Sequence, residues 1–355
     1  MKKTTFLKIG FVSLLLLLCF NSIAQTYKPF TVRENLDIRG SMLVIGNNIL
    51  GKDNLPFNDL TKDNQDISMQ YIDIDGDSST FSSSSADLLL SAHDDGSATT
   101  CYRVAYAALY WGAVLQSGSR TDINKVKFKT PGSTAYIDID GEVVYDAIVN
   151  PIIAVANEPG NTPYACYADV TNLLVGLSDI EGTYTVANVN SSLGFNNSTG
   201  LSAGWTLFVI YEDPILHTKS FTSFDGFSHI FDGHQETVPV TGFTTPQAGH
   251  IDLQFAYGTL DGDRTKRATK LEINGKEVTT PFRPANKFFG SVIENTNGVA
   301  NPRNPFSANT LGYDTGFLEI LNSEPEFIKN NVSSADFRLQ VARGQADPIF
   351  AFFAA

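Results

Sequence analysis

The chain has 355 residues, 38 acidic against 25 basic, and a formal net charge of −13. Nucleic acid and anionic membrane both call for a basic surface, so this balance argues against either as a partner. It fits a chain that stays soluble outside the cell, and secondarily one that recruits divalent cations.

The first residues have the layout of a secretory leader. Lys2, Lys3 and Lys8 form a basic start, Gly10 to Phe20 a short apolar run, and Ser22-Ile23-Ala24 the small residues of a cleavage site. The run is roughly half of the about 20 residues needed to span a bilayer, so cleavage is expected, with the mature chain beginning at Gln25. Leu18 stands before Cys19 where a lipid-attachment site has a small residue. Nothing later has transmembrane length, so no membrane insertion of the mature chain is expected. Without the three leader lysines, 38 acidic residues face 22 basic ones, a net of −16.

From Gln25 onward, strand signals recur. Ser41 to Ile45 is the first clear strand, and Lys52 to Asp66 reads as a polar loop. Tyr71 to Asp77 alternates and ends in Asp75-Gly76, a strand running into a turn. Val104 to Trp111, Val126 to Phe128 and Tyr136 to Ile139 follow. Asp140-Gly141 then predicts a hairpin into Glu142 to Tyr145. Tyr136 to Glu142 nearly copies Tyr71 to Asp77, which we read as recurring strand-turn chemistry rather than a domain repeat. Asp169 to Leu174 predicts a strand end entering one helical turn, with Asp169 or Thr171 as cap. Tyr184 to Val189 is a strand, and Asn190 to Gly200 a loop.

Gly204 to Pro214 is the strongest strand signal. Trp205, Leu207, Val209 and Tyr211 fall on one face, and Thr206, Phe208 and Ile210 on the other, so it is expected to be central and covered on both sides. Phe221 to Asp232 is rich in Phe, Asp, Gly and His. Thr237 to Phe243 is a strand, and Ile251 to Tyr257 alternates as a half-solvated one. Leu271 to Val278 is a hairpin about Asn274-Gly275, with the composition of a type I′ turn. Pro281 to Asn309 is irregular. Phe317 to Leu321 and Phe337 to Val341 are strands, and the end from Pro348 to Ala355 is apolar and uncharged. It either docks as a strand in the core or continues into further chain.

No helical period is sustained over three turns. The pattern predicts an all-β protein: two antiparallel, jelly-roll-like β-sandwich domains after a signal peptide. The expected divisions are 1–24 for the signal, 25–214 for the first sandwich with its lead-in, and 215–355 for the second.

Candidate sites are few. Apart from Cys19 the chain has only Cys101 and Cys166; in an exported protein these are either a disulfide or two buried free thiols, and too few for structural zinc. Asp73, Asp75 and Asp77, with Asp87 closing, resemble the start of a calcium loop, where alternate carboxylates point at one hard cation. Gly76 and Ser84 break the EF-hand order, and turn aspartates are the first reading. Asp261-Gly262-Asp263 is a weaker second candidate. Asp225, His229, Asp232, His234 and Glu236 have metal-ligand types without metal-ligand spacing. Gly200 to Gly204 matches G-x-S-x-G around Ser202, but a loop precedes the serine and a strand follows it, the reverse of a nucleophile elbow. Glu212 and Asp213 have the types of a glycosidase pair without a demonstrable separation. Tyr102, Tyr106, Tyr110 and Trp111 read as core. No catalytic residue and no cofactor other than calcium is expected.

Several segments, in order, carry a resemblance: Asp73-Ile-Asp75 with Ser78 to Leu88, Ala108 to Gly112, Ala168 to Thr171, Gly204 to Pro214, and Phe224 to Phe227. Across roughly residues 65 to 345 the chain resembles the N-terminal region of very large exported bacterial surface proteins. These are the gliding-motility-associated and adhesin-like proteins with many β-sandwich domains and a type IX secretion module. The resemblance implies a surface-exposed, non-enzymatic module and brings no catalytic residues. The expected function is adhesion or surface structure, with a surface protein or a glycan as partner; the alternative is a carbohydrate-binding or carbohydrate-active jelly roll.

Overall fold

β-Branched and aromatic residues fill the apolar runs, and such residues pack best on a pleated surface. A computed structural model describes residues 26–93, 95–150, 162–196, 199–231, 233–266, 269–295, 301–320, 322–323, 326–343 and 349–355. The expected leader, Asp232 and Pro348 lie outside the described residues. The protein is nearly all β, in several sheets, with no closed barrel among the described residues.

Numbered in chain order, the largest sheet has ten strands. Their spatial order is β17 (Ile293–Glu294), β19 (Gly312–Ile320), β14 (Leu253–Gly262), β21 (Ile349–Ala354), β12 (Thr218–Ile230), β1 (Thr26–Asn48), β11 (Ala203–Glu212), β5 (Arg103–Val114), β9 (Pro163–Asp169) and β8 (Glu142–Asp146). A five-stranded sheet runs β18 (Arg303–Asn304), β4 (Ser83–Leu88), β10 (Gly182–Ala187), β6 (Lys125–Lys129) and β7 (Ile137–Asp140). A four-stranded sheet runs β13 (Gln235–Thr241), β20 (Ser334–Val341), β15 (Thr269–Ile273) and β16 (Lys276–Glu277). β2 (Leu50–Gly51) pairs with β3 (Gln70–Tyr71). Thr171–Val175 forms the expected helical turn, α1; its N-cap is Val170, without a side-chain cap bond, rather than Asp169 or Thr171, although the Asp169 carboxylate accepts the Thr171 N–H at 2.9 Å.

β11 is the predicted two-faced strand. It lies between β1 and β5, and its apolar residues are buried. Trp205, Leu207, Val209 and Tyr211 pack with Phe128, Tyr184 and Val186 of the five-stranded sheet. Phe208 and Ile210 pack on the other side with Phe350 and Phe353 of β21. Burying each such side chain contributes about 1.5–3 kcal/mol, so this strand is a large share of the core. The buried Trp205 indole N–H is satisfied by Ser84 Oγ at 2.9 Å.

The second face of β11 meets the far half of the same sheet. The Thr206 hydroxyl is 2.8 Å from the Tyr313 hydroxyl and donates to Thr315 Oγ1 at 3.0 Å. Gly204 makes this approach possible, because a Cβ there would lie 2.5 Å from the Tyr313 ring. The ten-stranded sheet therefore folds back on itself. The five-stranded sheet covers one outer face, and the four-stranded sheet covers the other through Leu271, Phe337 and Leu339.

β1 joins the two halves. Its N-terminal stretch pairs with β12, from Thr26 opposite Ser228 to Arg39 opposite Thr218, and Gly40 to Asn48 pair with β11. The expected boundary at 214/215 thus falls in a short connection between two strands of one sheet. β21 is a buried central strand between β12 and β14, the docked form of the apolar end.

One local reading is corrected and two are sharpened. Asp140-Gly141 is not a hairpin: β7 pairs with β6 and β8 with β9, so the chain changes sheet at Gly141. A Cβ on Gly141 would lie 2.4 Å from the Trp111 ring, so this corner needs glycine. The half-solvated reading of Ile251 to Tyr257 holds from Ile251 to Gln254, while Phe255 through Gly262 of β14 are buried. The Phe- and Gly-rich run after 220 is strand β12. The Asn274-Gly275 hairpin forms as read, with both turn residues at positive φ, 49° and 77°.

Candidate functional site

A cleft of about 850 Å³ opens between β12 and β14. This lies within the range of small-molecule and peptide sites. Met42 and Phe208 form its floor, and Val238, Val240 and Phe337 its roof. Phe221 and Phe255 come from the flanking strands, while His217, Lys219, His250 and Asp252 supply polar groups. His250 Nε2 and Asp252 Oδ1 are 3.1 Å apart. The alternation that places Phe255 was legible in sequence; the strand carrying Phe221, and the gap between the two strands, were not.

The aspartates of the calcium-like motif are partly gathered. Ser83 Oγ donates to Asp73 Oδ1 at 2.9 Å and lies 3.1 Å from Asp75 Oδ1. The Asp75 carboxylate also accepts the Tyr136 hydroxyl and faces Lys129 Nζ at 3.8 Å. Burial pushes its pKa up, but the hydrogen bonds from Tyr136, Asp77 and Ser83 prevail and hold it below the usual value. Asp77 caps its own turn by accepting the Ser79 N–H at 2.8 Å. Asp87 is held elsewhere, by the Thr183 hydroxyl at 2.7 Å. In the second motif, Asp261 accepts the Asn64 amide at 2.5 Å. Among the described residues no group of three or more His, Cys, Asp or Glu is placed to hold a metal ion.

The other candidates are separated. Asp225 is buried against Arg33, whose Nε donates at 2.7 Å and which also bonds Glu142 at 3.0 Å. Burial nonetheless pushes the Asp225 carboxyl up. His229 stacks between Phe231 and Phe350, with ring centroids 4.5 and 4.9 Å away. His234 meets the edge of Phe231, and Glu236 accepts the Ser228 hydroxyl at 2.9 Å. Ser202 is fully buried ahead of β11, without a base. Glu212 is tied to Arg103 at 2.6 Å and Asp213 to His93 at 2.7 Å, so the two carboxylates do not share a site. Tyr102 is half-buried and donates to Asp179 at 2.9 Å; Tyr106, Tyr110 and Trp111 are core.

Cys101 and Cys166 are free thiols, the first exposed and the second buried. Cys166 stands opposite Trp111, ten positions along the chain from Cys101. At about 3.3 Å per residue that is roughly 30 Å, far beyond the about 5.5 Å a disulfide spans. Of the two alternatives the free thiols are the ones found, though only Cys166 is buried.

Sequence reading missed one polar chain. Ser97 Oγ lies 2.9 Å from His93 Nδ1, and His93 Nε2 lies 2.7 Å from the buried Asp213 Oδ2. Ser97 belongs to the same turn as His93, whose N–H bonds the Ser97 carbonyl at 2.9 Å. A Ser-His-Asp chain is recognised as catalytic by its geometry with an oxyanion hole and substrate cleft; none of these three residues lines the cleft described above.

Fold and cleft define a nearly all-β, multi-sheet protein with an apolar opening between two strands. No family model matches the chain, and no curated protein matches it in sequence.

Proposed function

We propose that this is an exported or cell-surface, non-enzymatic β module serving adhesion or surface structure. In this reading residues 1–24 direct export and are removed. The rest is two sandwiches that share the ten-stranded sheet; the gliding-motility-associated and adhesin-like surface proteins the sequence resembles also carry β-sandwich domains. The observation that carries the proposal is the β1 ladder, regular from Glu34 to Asn48, first to β12 and then to β11. A strand hydrogen-bonded through both halves lets a load on one be carried by the other, which suits a module held between a surface and a partner. The cleft adds apolar walls between main-chain edges, a surface for gripping rather than for moving protons.

The test is labelling of intact cells that export the protein. Antibody and added protease should reach it without permeabilisation, and its loss should weaken attachment or the surface layer. Labelling only after lysis would remove the surface reading. A glycan array probes the alternative carbohydrate role, for which saturable binding to defined sugars is required.

A further inference from the structure

Arg303 belongs to β18, an edge strand of the five-stranded sheet, and stands opposite Ala86 of β4. Side chains opposite one another in an antiparallel pair share a face. Ala86 lies in the core, so Arg303 is directed inward at the edge of the sheet. Its Nη2 donates to the Ser307 carbonyl. Its Nε and Nη1 are buried and have no hydrogen-bond partner among the described residues. Four other arginines that the fold encloses wholly or in part are paired: Arg33 with Asp225 and Glu142, Arg120 with Asp146, Arg283 with Glu294 and Asp314, and Arg338 with Glu272. Arg303 has no such carboxylate among the described residues, in a chain with 38 acidic side chains. Burial alone pulls its pKa down, to about 10. A charge taken out of water without a counter-charge is strongly unfavourable. Such a breach of the packing rules is expected at functional positions.

We infer that Arg303 anchors a carboxylate side chain of a partner polypeptide. Phe306 covers the guanidinium, with Arg303 Cζ 4.4 Å from its ring centroid. The ring is itself half exposed, so it can turn aside to admit a ligand. The surface around it is apolar and firmly held. Ser307 Oγ accepts the Phe57 N–H at 3.0 Å, and Asn58 Oδ1 accepts the Ala308 N–H at 2.8 Å. The Asn309 amide donates to the Asp59 and Lys62 carbonyls at 2.9 and 2.8 Å. These bonds place the exposed Leu55 and Leu60 next to the segment that carries Phe306. A rim fixed in this way loses little freedom on binding.

Charge and rim together select the occupant. Free donors on an enclosed guanidinium take a charged oxygen acceptor, a carboxylate or a phosphate. A single guanidinium matches the single charge of a carboxylate, whereas a phosphate carries nearly two and would leave charge unpaired. Leu55, Leu60 and Phe306 gain from contact with apolar side chains. An acidic sugar would bring hydroxyls that they cannot bond. A desolvated arginine within an apolar patch is also the composition of a protein–protein hot spot. This deepens the surface-module reading by giving its partner class and rests on it for the setting only; binding is read in solution wherever the protein is displayed.

The test sets stability against binding. Arg303→Met removes an unpaired charge, so it should melt within about 2 °C of wild type or above it. Arg283→Met, which breaks a pair, should melt clearly lower. A fall of more than about 5 °C for Arg303→Met would show the guanidinium satisfied within the fold and overturn the inference. Binding is read on an array of hexapeptides with apolar flanks and Glu, Asp, Gln or Asn at the third place. Some Glu or Asp peptides should bind saturably, at least about tenfold more tightly than their Gln or Asn twins, and should move the Arg303 Nε–H resonance. Arg303→Met should lose that preference, and Leu60→Asp should weaken binding at least about tenfold. Equal binding of acidic and amide peptides would overturn the anchor. A resonance moved by oligoglucuronate or inorganic phosphate, but by no peptide, would overturn the polypeptide in favour of a sugar acid or a phosphate. No response to any probe would overturn the site itself.

Discussion

His93 reaches Asp213 across 120 positions of sequence, with Nε2 2.7 Å from Oδ2 and both side chains almost wholly buried. Asp213 also accepts the Ile215 N–H at 2.9 Å, so the pair ties the 93–97 turn to the connection between β11 and β12. We expect a structural tie. His93→Ala should lower stability by about 1–3 kcal/mol, because it leaves a buried carboxylate short of a donor. Ser97→Ala, at an exposed position, should change it by less than about 0.5 kcal/mol. Urea melts read both. Hydrolysis of a chromogenic ester that disappears in Ser97→Ala would instead make the chain a catalytic triad.

Arg283 is completely buried, with Nε 2.6 Å from Glu294 and Nη1 3.3 Å from Asp314. Its guanidinium also lies 5.0 Å from the Tyr257 ring centroid, and Asp314 accepts the N–H groups of Gly290, Ser291 and Val292. The cluster fastens the irregular 281–294 segment to β14 and β19. Removing one member of a buried ion pair typically costs about 3–5 kcal/mol. Arg283→Met should therefore lose that much in denaturant unfolding, and Asp314→Ala at least as much. A loss under about 1 kcal/mol would mean that water replaces the pair.

Burial between phenyl rings, with His234 nearby, lowers the His229 pKa to about 3. Folding therefore requires the neutral ring. Its contribution is complete above the unfolded value of about 6.5 and is lost as pH falls from there toward 3. At pH 4.5 the penalty is about 2–3 kcal/mol. His229→Phe should flatten this part of the stability–pH profile while leaving pH 8 stability within about 1 kcal/mol. Parallel profiles for variant and wild type would count against it.

The thiols should differ in reactivity. Cys101 is exposed, whereas burial pushes the Cys166 thiol up and encloses it. Thiolate is the reacting form. A thiol reagent should modify Cys101 in the native protein and Cys166 only after unfolding, as read by peptide mass. Native modification of both would place Cys166 at the surface.

Calcium should have little effect. Asp75 is already engaged by Tyr136 and Lys129, and Asp87 by Thr183. A ligand of the folded state alone must raise its melting point. We expect millimolar calcium to move the midpoint by less than about 1 °C. A clear rise that Asp73→Asn removes would establish a cation site at this turn.

Sequence alone determined what depends on near neighbours. The two faces of β11 follow from alternation, the Asn274-Gly275 hairpin from two residues that tolerate positive φ, and the turn after β9 from Asp169 and its neighbours. Tertiary structure decided which strands meet. Asp140-Gly141 has hairpin chemistry, yet the Trp111 ring against Gly141 sends the flanking strands to different sheets. Likewise, nothing within β12 or β14 tells that both flank β21, a neighbour that comes from far along the chain. Side-chain periodicity and turn geometry are written within a few residues, whereas the pairing of edges is settled by segments from tens to more than a hundred positions apart.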